Sequence, residues 1–151
     1  MNESSVDEIL DFAITSEAGA YQFYKELATK MQSQAMRQVF EDFAKEELSH
    51  KAKLEKIKNN KSVTFAKTKE VADLKISDYV VDVEPRPDMD YQDALVLAMK
   101  AEKMAYKLYS DLASTATDQS IRELFLALAQ EEARHKLRFE IEYDQEIMKE
   151  N

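Results

Sequence analysis

The sequence predicts an all-α fold: a four-helix bundle with one long crossover between the second and third helices. Glycine occurs once and proline twice, whereas Ala, Leu, Glu, Lys, Gln and Met are plentiful, and this composition suits long helices. Apolar residues also recur at three- and four-residue spacing, the period of a helix with one buried face. Because 151 residues are too few for two ordinary domains, we predict a single domain over residues 1–151.

Each predicted helix has a start signal. Ser5 and Glu8 form a capping box for the first helix. Ser33, Asp90 and Asp118 are the predicted N-caps of the second, third and fourth helices. With their apolar stripes, these signals predict helices over about residues 5–31, 33–59, 90–115 and 118–148.

The segment at about residues 60–89 has no sustained helical period and contains both prolines, Pro85 and Pro87. A connection between two parallel neighbours in a bundle must run along the length of the bundle, which accounts for such a long segment. We expect its apolar residues to pack across the bundle surface, and a short helix within it is left open.

Each predicted helix carries charged or polar residues inside its apolar stripe, where the period calls for core residues. On a helix, residues three apart lie on one face, so a Glu-x-x-His pair can reach one metal ion. The chain's two histidines both lie in such pairs. The candidate metal ligands are Glu17 on the first helix, Glu47 and His50 on the second, Glu102 on the third, and Glu132 and His135 on the fourth.

An internal repeat relates the two halves of the chain. A shift of 85 residues lays the first two helices onto the last two without a gap. Identical residues then coincide at many positions, among them Glu17 with Glu102, Tyr24 with Tyr109, Glu46 with Glu131, and His50 with His135. The repeat implies two helical hairpins related by an approximate two-fold axis, each contributing one single Glu and one Glu-x-x-His to a shared interior.

Four carboxylates inside an apolar bundle need charge compensation. Burying even one unpaired carboxylate is costly or forces it to protonate. Two divalent cations would balance four negative charges, and two neutral imidazoles would complete the coordination, as in the dinuclear carboxylate sites of ferritin-like bundles. Such mixed ligation suits iron or manganese, and zinc is chemically compatible. The alternative is a bundle in which these residues lie on wet faces or form buried ion pairs.

Four further residues lie close to the predicted ligands. Glu46 and Glu131 precede the motif glutamates off the centre of the stripe, which favours solvation or a contact with a ligand side chain over coordination. Tyr24 and Tyr109 lie two turns beyond Glu17 and Glu102 on the same helix face. They are our candidate catalytic residues, as phenol donors to carboxylates or oxygen species, and packing as core aromatics remains the alternative.

Composition excludes several other functions. The formal net charge of −9 argues against nucleic acid as a partner, since phosphate backbones are bound by clustered Lys and Arg. The absence of cysteine excludes disulfides, thiolate metal sites and iron–sulfur centres made by this chain. No apolar run is long enough to span a membrane and the N-terminus is acidic, so we expect a cytoplasmic protein without a membrane partner.

Glu17 with Tyr24, Glu102 with Tyr109, and the runs Glu47-Leu48-Ser49-His50 and Glu132-Ala133-Arg134-His135 together resemble the rubrerythrin branch of ferritin-like di-iron proteins. The resemblance covers nearly the whole chain apart from the crossover. It implies two iron ions that reduce hydrogen peroxide, and a homodimer. Rubrerythrins receive electrons from a four-cysteine iron centre, so this chain would need an external electron donor. They also carry a further glutamate on the third helix, where this chain has Ala105.

The function we expect is that of a di-iron oxidoreductase that reduces peroxide or dioxygen. Two alternatives remain open: a non-catalytic protein that binds or stores iron, and a static scaffold around two zinc or manganese ions. A related enzyme would oxidise an organic substrate, which would require an access channel to the centre.

Overall fold

The computed structural model describes residues 3–59 and 89–150. This part of the chain forms four helices, α1 Glu3–Lys30, α2 Gln34–Asn59, α3 Tyr91–Thr115 and α4 Gln119–Glu150. Their bounds lie within two residues of the predicted ones, and the predicted four-helix bundle is confirmed. The predicted crossover lies outside the described residues except for its last residue, Met89, which is buried.

Three of the four predicted helix starts are confirmed by hydrogen bonds. The Ser33 hydroxyl accepts from the Met36 amide at 3.1 Å. The Asp90 carboxylate accepts from the Asp93 amide at 2.8 Å, and Asp118 accepts from the Ile121 amide at 3.2 Å. Each bond satisfies one of the amides that the first turn of a helix leaves without an intrahelical partner.

The predicted start of the first helix at Ser5 is wrong. Helix α1 already begins at Glu3, so Ser5 lies in its first turn and not at its N-cap. Glu3 and Ser4 contain no helix breaker, and a capping sequence does not prevent the residues before it from adopting helical geometry.

The helices pack as two hairpins. Helix α1 contacts α2 along its length and α3 contacts α4 in the same way, whereas α1 and α3, like α2 and α4, approach each other at few positions. Two arginines repeat the same contact in both hairpins: Arg37 donates to the Met31 carbonyl at 3.2 Å, and Arg122 donates to the Ala116 carbonyl at 2.8 Å. Both pairs are related by the 85-residue shift, so the repeat in the sequence is also a repeat in the structure.

The core has two apolar parts. One is rich in aromatic rings, including Tyr24, Phe40 and Phe139, with ring centroids 5.8–6.3 Å apart. The other is mainly aliphatic and includes Leu54 and Leu112. On every helix the predicted metal ligands lie between these two parts, so these buried polar residues are found near the middle of the bundle.

Among the described helices, none combines the length and hydrophobicity that a membrane span requires.

Candidate metal centre

All six predicted ligands are buried and lie in one cluster. Their exposed fractions range from 0% for Glu132 to 6% for His135. The apolar stripe of each helix faces the bundle interior, and the ligands occupy positions of that stripe, so folding brings them together. We call Glu17, Glu47, Glu102 and Glu132 the carboxylate cluster.

The six side chains form two overlapping groups of metal-ligand atoms. One group consists of Glu17, Glu47, His50 and Glu132, and the other of Glu47, Glu102, Glu132 and His135. Within each group the ligand atoms lie within 4.8 Å of one another. Glu47 and Glu132 belong to both groups, as bridging carboxylates between two ions would, and the 85-residue shift converts one group into the other.

The Nδ1 atom of each histidine faces the carboxylate cluster. His50 Nδ1 lies 2.7 Å from Glu132 Oε1, and His135 Nδ1 lies 3.2 Å from Glu47 Oε1. Neither Nδ1 forms a hydrogen bond of acceptable geometry within the described part of the chain. Metal-ligand atoms that point at one ion are expected to lie close together without such hydrogen bonds. Each histidine Nδ1 lies near the motif glutamate of the opposite hairpin.

The Nε2 atom of each histidine contacts a carboxylate from the other hairpin. His50 Nε2 lies 2.7 Å from Glu131, and His135 Nε2 lies 2.9 Å from Glu46. Both glutamates thus contact a ligand side chain, and both are also partly exposed to solvent, with 55% of the Glu46 side chain and 36% of the Glu131 side chain exposed. Such a carboxylate orients an imidazole and makes it a better metal ligand. We call His50, His135, Glu46 and Glu131, which lie between α2 and α4, the histidine face.

Tyr24 and Tyr109 donate hydrogen bonds to the single glutamates. Tyr24 Oη donates to Glu102 Oε1 at 2.5 Å, and Tyr109 Oη donates to Glu17 Oε1. Each tyrosine therefore binds the glutamate of the other hairpin, although in the sequence it follows the glutamate of its own helix. Sequence spacing shows which face of a helix a residue occupies, but it does not show which partner lies across from it.

Burial and mutual repulsion make proton loss difficult for two members of the carboxylate cluster, Glu47 and Glu132. Burial raises the pKa of Glu47 well above its usual value, and the charges of Glu102 and Glu17 raise it further. The pKa of Glu132 is raised in the same way, by burial and then by Glu102 and Glu47. Burial opposes ionisation of Glu17 as well, but its interactions with Glu47 and His50 outweigh it and lower the pKa.

The donor set fits a dinuclear metal centre. Five buried carboxylate oxygens of the cluster have no hydrogen-bond partner in the described part of the chain: Glu17 Oε2, Glu47 Oε1, Glu102 Oε2, and both oxygens of Glu132. An unsatisfied buried carboxylate is strongly unfavourable. Two divalent cations would bind these oxygens together with the two histidine Nδ1 atoms and would neutralise four carboxylates.

A cavity lies on the other side of the carboxylate cluster, between α1 and α3. Its volume is about 300 Å³, and all four carboxylates of the cluster line it, whereas neither histidine does. From the sequence, an access channel is expected only for the alternative enzyme that oxidises an organic substrate. The pattern of small residues on α1 and α3 is visible in the sequence, but it predicts a gap only once the two helices are known to face each other.

These features define a class of protein, the four-helix bundle with a buried dinuclear carboxylate site. The family model named Rubrerythrin matches residues 8–143. This chain belongs to the rubrerythrin family.

Two solved structures share the fold. A protein of Pyrococcus furiosus described as hypothetical is 29% identical, with a TM-score of 0.72 over 95% of this chain and 91% of its own. A Thermotoga maritima protein described as a ferritin-like diiron-carboxylate protein is 20% identical, with a TM-score of 0.74 over 93% of this chain and 95% of its own. No curated protein matches the chain significantly.

Proposed function

We propose that this protein is a di-iron oxidoreductase that reduces peroxide or dioxygen at the carboxylate cluster. The observation that carries the proposal is the pair of ligand groups that share Glu47 and Glu132. Bridging ligands hold two ions close enough to act on one substrate molecule. Iron is proposed over manganese or zinc because of the family to which the chain belongs.

Two ferrous ions would together supply the two electrons that convert hydrogen peroxide and two protons into two water molecules. The chain's own residues hold and insulate this centre. Two ligands of each group are not shared with the other group: Glu17 and His50 in one, and Glu102 and His135 in the other. Each proposed metal position therefore has one carboxylate and one imidazole of its own. Except at the cavity between α1 and α3, the surrounding apolar core keeps bulk water away from the carboxylates.

Tyr24 and Tyr109 are proposed to position the single glutamates during this reaction. Burial raises the pKa of Tyr24 well above its usual value, and Glu102 adds to the shift. The pKa of Tyr109 is raised likewise by burial and by Glu17. Both phenols therefore keep their protons at neutral pH and remain donors to the carboxylates.

The remaining expectations stay predictions. The chain contains no cysteine, so electrons would come from an external protein or a small reductant. A homodimer, a cytoplasmic location, and the lack of a nucleic-acid or membrane partner are likewise untested.

An anaerobic titration of the apo-protein with ferrous iron, followed by peroxide, tests the proposal. We expect saturation at about two irons per chain and an increase in near-ultraviolet absorbance from ferric iron when peroxide is added. Glu47→Gln should abolish both signals. Glu55→Gln, at an exposed position on the same helix, is the control and should change neither.

Repeated additions of peroxide with a reductant separate the proposal from its alternatives. An oxidoreductase consumes peroxide over many cycles. A protein that only binds or stores iron reacts once and then stops, and a static zinc or manganese scaffold consumes none. Either of the last two results would contradict the proposed function.

A further inference from the structure

The cavity between α1 and α3 connects the carboxylate cluster with the protein surface. The four carboxylates lie at its base, and its walls include the apolar side chains of Phe12, Phe23, Met104 and Leu108. Ser16 and Gly19, which also line it, are exposed. The cavity is therefore open to solvent at one end and reaches the candidate metal ligands at the other.

Small residues at facing positions of α1 and α3 produce this space. Ala20 and Ala105 both line the cavity and are related by the 85-residue shift, so they lie on opposite sides of the approximate two-fold axis. Gly19 also lines it, and a Cβ atom added there would meet no other atom within 4 Å. Both halves of the repeat therefore contribute small residues to the cavity wall.

The size of the cavity exceeds what hydrogen peroxide or dioxygen requires. An apolar cavity of about 150 Å³ accommodates benzene, so about 300 Å³, part of which two bound ions would take, can still hold a single ring. Its walls favour an apolar group, and they disfavour a charged one because burying an unpaired charge is costly. A ligand that fits is a neutral molecule with a compact apolar body and a polar end for the carboxylate side.

We infer that the centre accepts organic hydroperoxides with a compact apolar group, and reduces them in preference to hydrogen peroxide. This inference rests on the proposed function. The O–O bond of ROOH breaks, two electrons from two ferrous ions and two protons from solvent are taken up, and ROH and water are formed. The external electron donor then returns the two electrons. The apolar group occupies the cavity and places the hydroperoxide end at the carboxylate cluster.

Binding of an unreactive alcohol tests the cavity without any redox chemistry. The probe is 2-phenylpropan-2-ol, the alcohol formed from cumene hydroperoxide, added to the zinc-loaded protein in a calorimetric titration. We expect saturable binding, and an affinity about tenfold or more lower in Ala105→Leu, since the larger side chain fills the space. Ala127→Leu, an exposed position on α4, is the matched control and should bind the alcohol like the wild type.

Ala20→Leu, at the position related to Ala105 by the repeat, provides a second obstruction from the opposite wall. Thermal unfolding of each variant shows whether it is folded before its affinity is compared. Loss of binding in either folded variant supports the inference. Binding that is absent in the wild type, or that is unchanged in folded Ala105→Leu and Ala20→Leu, overturns it.

The ratio of kcat/KM for cumene hydroperoxide to that for hydrogen peroxide completes the test on the iron-loaded protein. We expect a ratio above one in the wild type and a lower ratio in Ala105→Leu. Reduction of hydrogen peroxide without any preference for the organic substrate would overturn this inference and leave the proposed function intact. Reduction of neither substrate would overturn the proposed function, and this inference with it.

Discussion

On the histidine face of the carboxylate cluster, long polar side chains cross between α2 and α4. His50 reaches Glu131 and Glu132, and His135 reaches Glu46 and Glu47. On the opposite side, α1 and α3 present the small residues Ala20 and Ala105, and a cavity of about 300 Å³ remains. The same approximate two-fold axis relates the residues on both sides.

This difference shows that side-chain length at matched positions decides what each side of the centre does. Two copies of a long side chain on either side of the axis close the space and fix the ligands. Two copies of a small one leave a space that is open to solvent. Under the proposed function, the histidine face would hold the metal and the cavity would admit the substrate, so changes at Ala20 or Ala105 should leave metal binding unaffected.

The largest effect is expected on the number of bound ions, when substitution of a bridging carboxylate is compared with substitution of a single glutamate. Glu132→Gln removes a ligand that belongs to both groups, so we expect neither ion to be retained. Glu102→Gln removes a ligand of one group, so about one ion per chain should remain. Metal analysis after gel filtration measures both. Equal metal content in the two variants would contradict the bridging role of Glu132.

The next largest effect is the dependence of apo-protein stability on pH. The raised pKa values of Glu47 and Glu132 mean that the folded state binds these protons more tightly than the unfolded chain does. Their contribution to the free energy of unfolding is therefore lost as the pH rises from the ordinary glutamate pKa towards the raised values.

His50 acts in the same direction. Although burial opposes its protonation, Glu17 raises its pKa, so its stabilising contribution is lost as the pH rises through the raised value. The lowered pKa of Glu17 affects stability only below the ordinary glutamate pKa, where its contribution is lost as the pH falls, so it does not oppose this change above pH 6. We expect the apo-protein to be less stable at pH 8 than at pH 6, and zinc to remove this difference, in urea unfolding with EDTA or with zinc. A metal-free protein that becomes more stable with rising pH would contradict this balance of charges.

A smaller effect is expected from the outer carboxylates of the histidine face. Glu131→Gln keeps the shape of the side chain but removes the charge next to His50 Nε2. Loss of such a partner typically lowers metal affinity about 10- to 100-fold. Competition with a chelator of known affinity measures the change. Glu140→Gln on the same helix, which removes the partner of Lys136, is the control.

The hydrogen bonds from the tyrosines should contribute to stability on the opposite side of the centre. Tyr24→Phe removes the donor to the buried Glu102 carboxylate and should lower the free energy of unfolding by about 1–3 kcal/mol. Phe at this position keeps the ring that stacks on Phe40. Urea unfolding of the zinc-loaded protein measures the loss, and Tyr143→Phe, at a half-buried position on α4, serves as the comparison.

The smallest effect is expected at the mouth of the cavity. Gly19→Ala adds a methyl group that meets no other atom within 4 Å, and alanine is the better helix former. The free energy of unfolding should rise by about 1 kcal/mol, measured by urea unfolding. A loss of stability would show that α1 and α3 are packed more closely at Gly19 than the open cavity implies.

Much of this molecule follows from local patterns in the sequence. The three- and four-residue spacing of apolar residues predicts the four helices, and Ser33, Asp90 and Asp118 predict three of their starts. The same spacing places six ligand-type residues on the buried faces, and the 85-residue repeat pairs them. These predictions succeed because a helix fixes the direction of each side chain from its position in the chain alone.

Contacts across the bundle required the tertiary structure. The sequence by itself determined that Tyr24 and Glu46 lie near the ligands, whereas only folding decided that Tyr24 binds Glu102 and that Glu46 contacts His135. The cavity likewise required the tertiary structure. Its width depends on the distance between α1 and α3, whose facing residues Ala20 and Ala105 are 85 positions apart in the sequence. The physical reason is that helical periodicity sets directions within one helix, while the distance between two helices depends on the side chains of both.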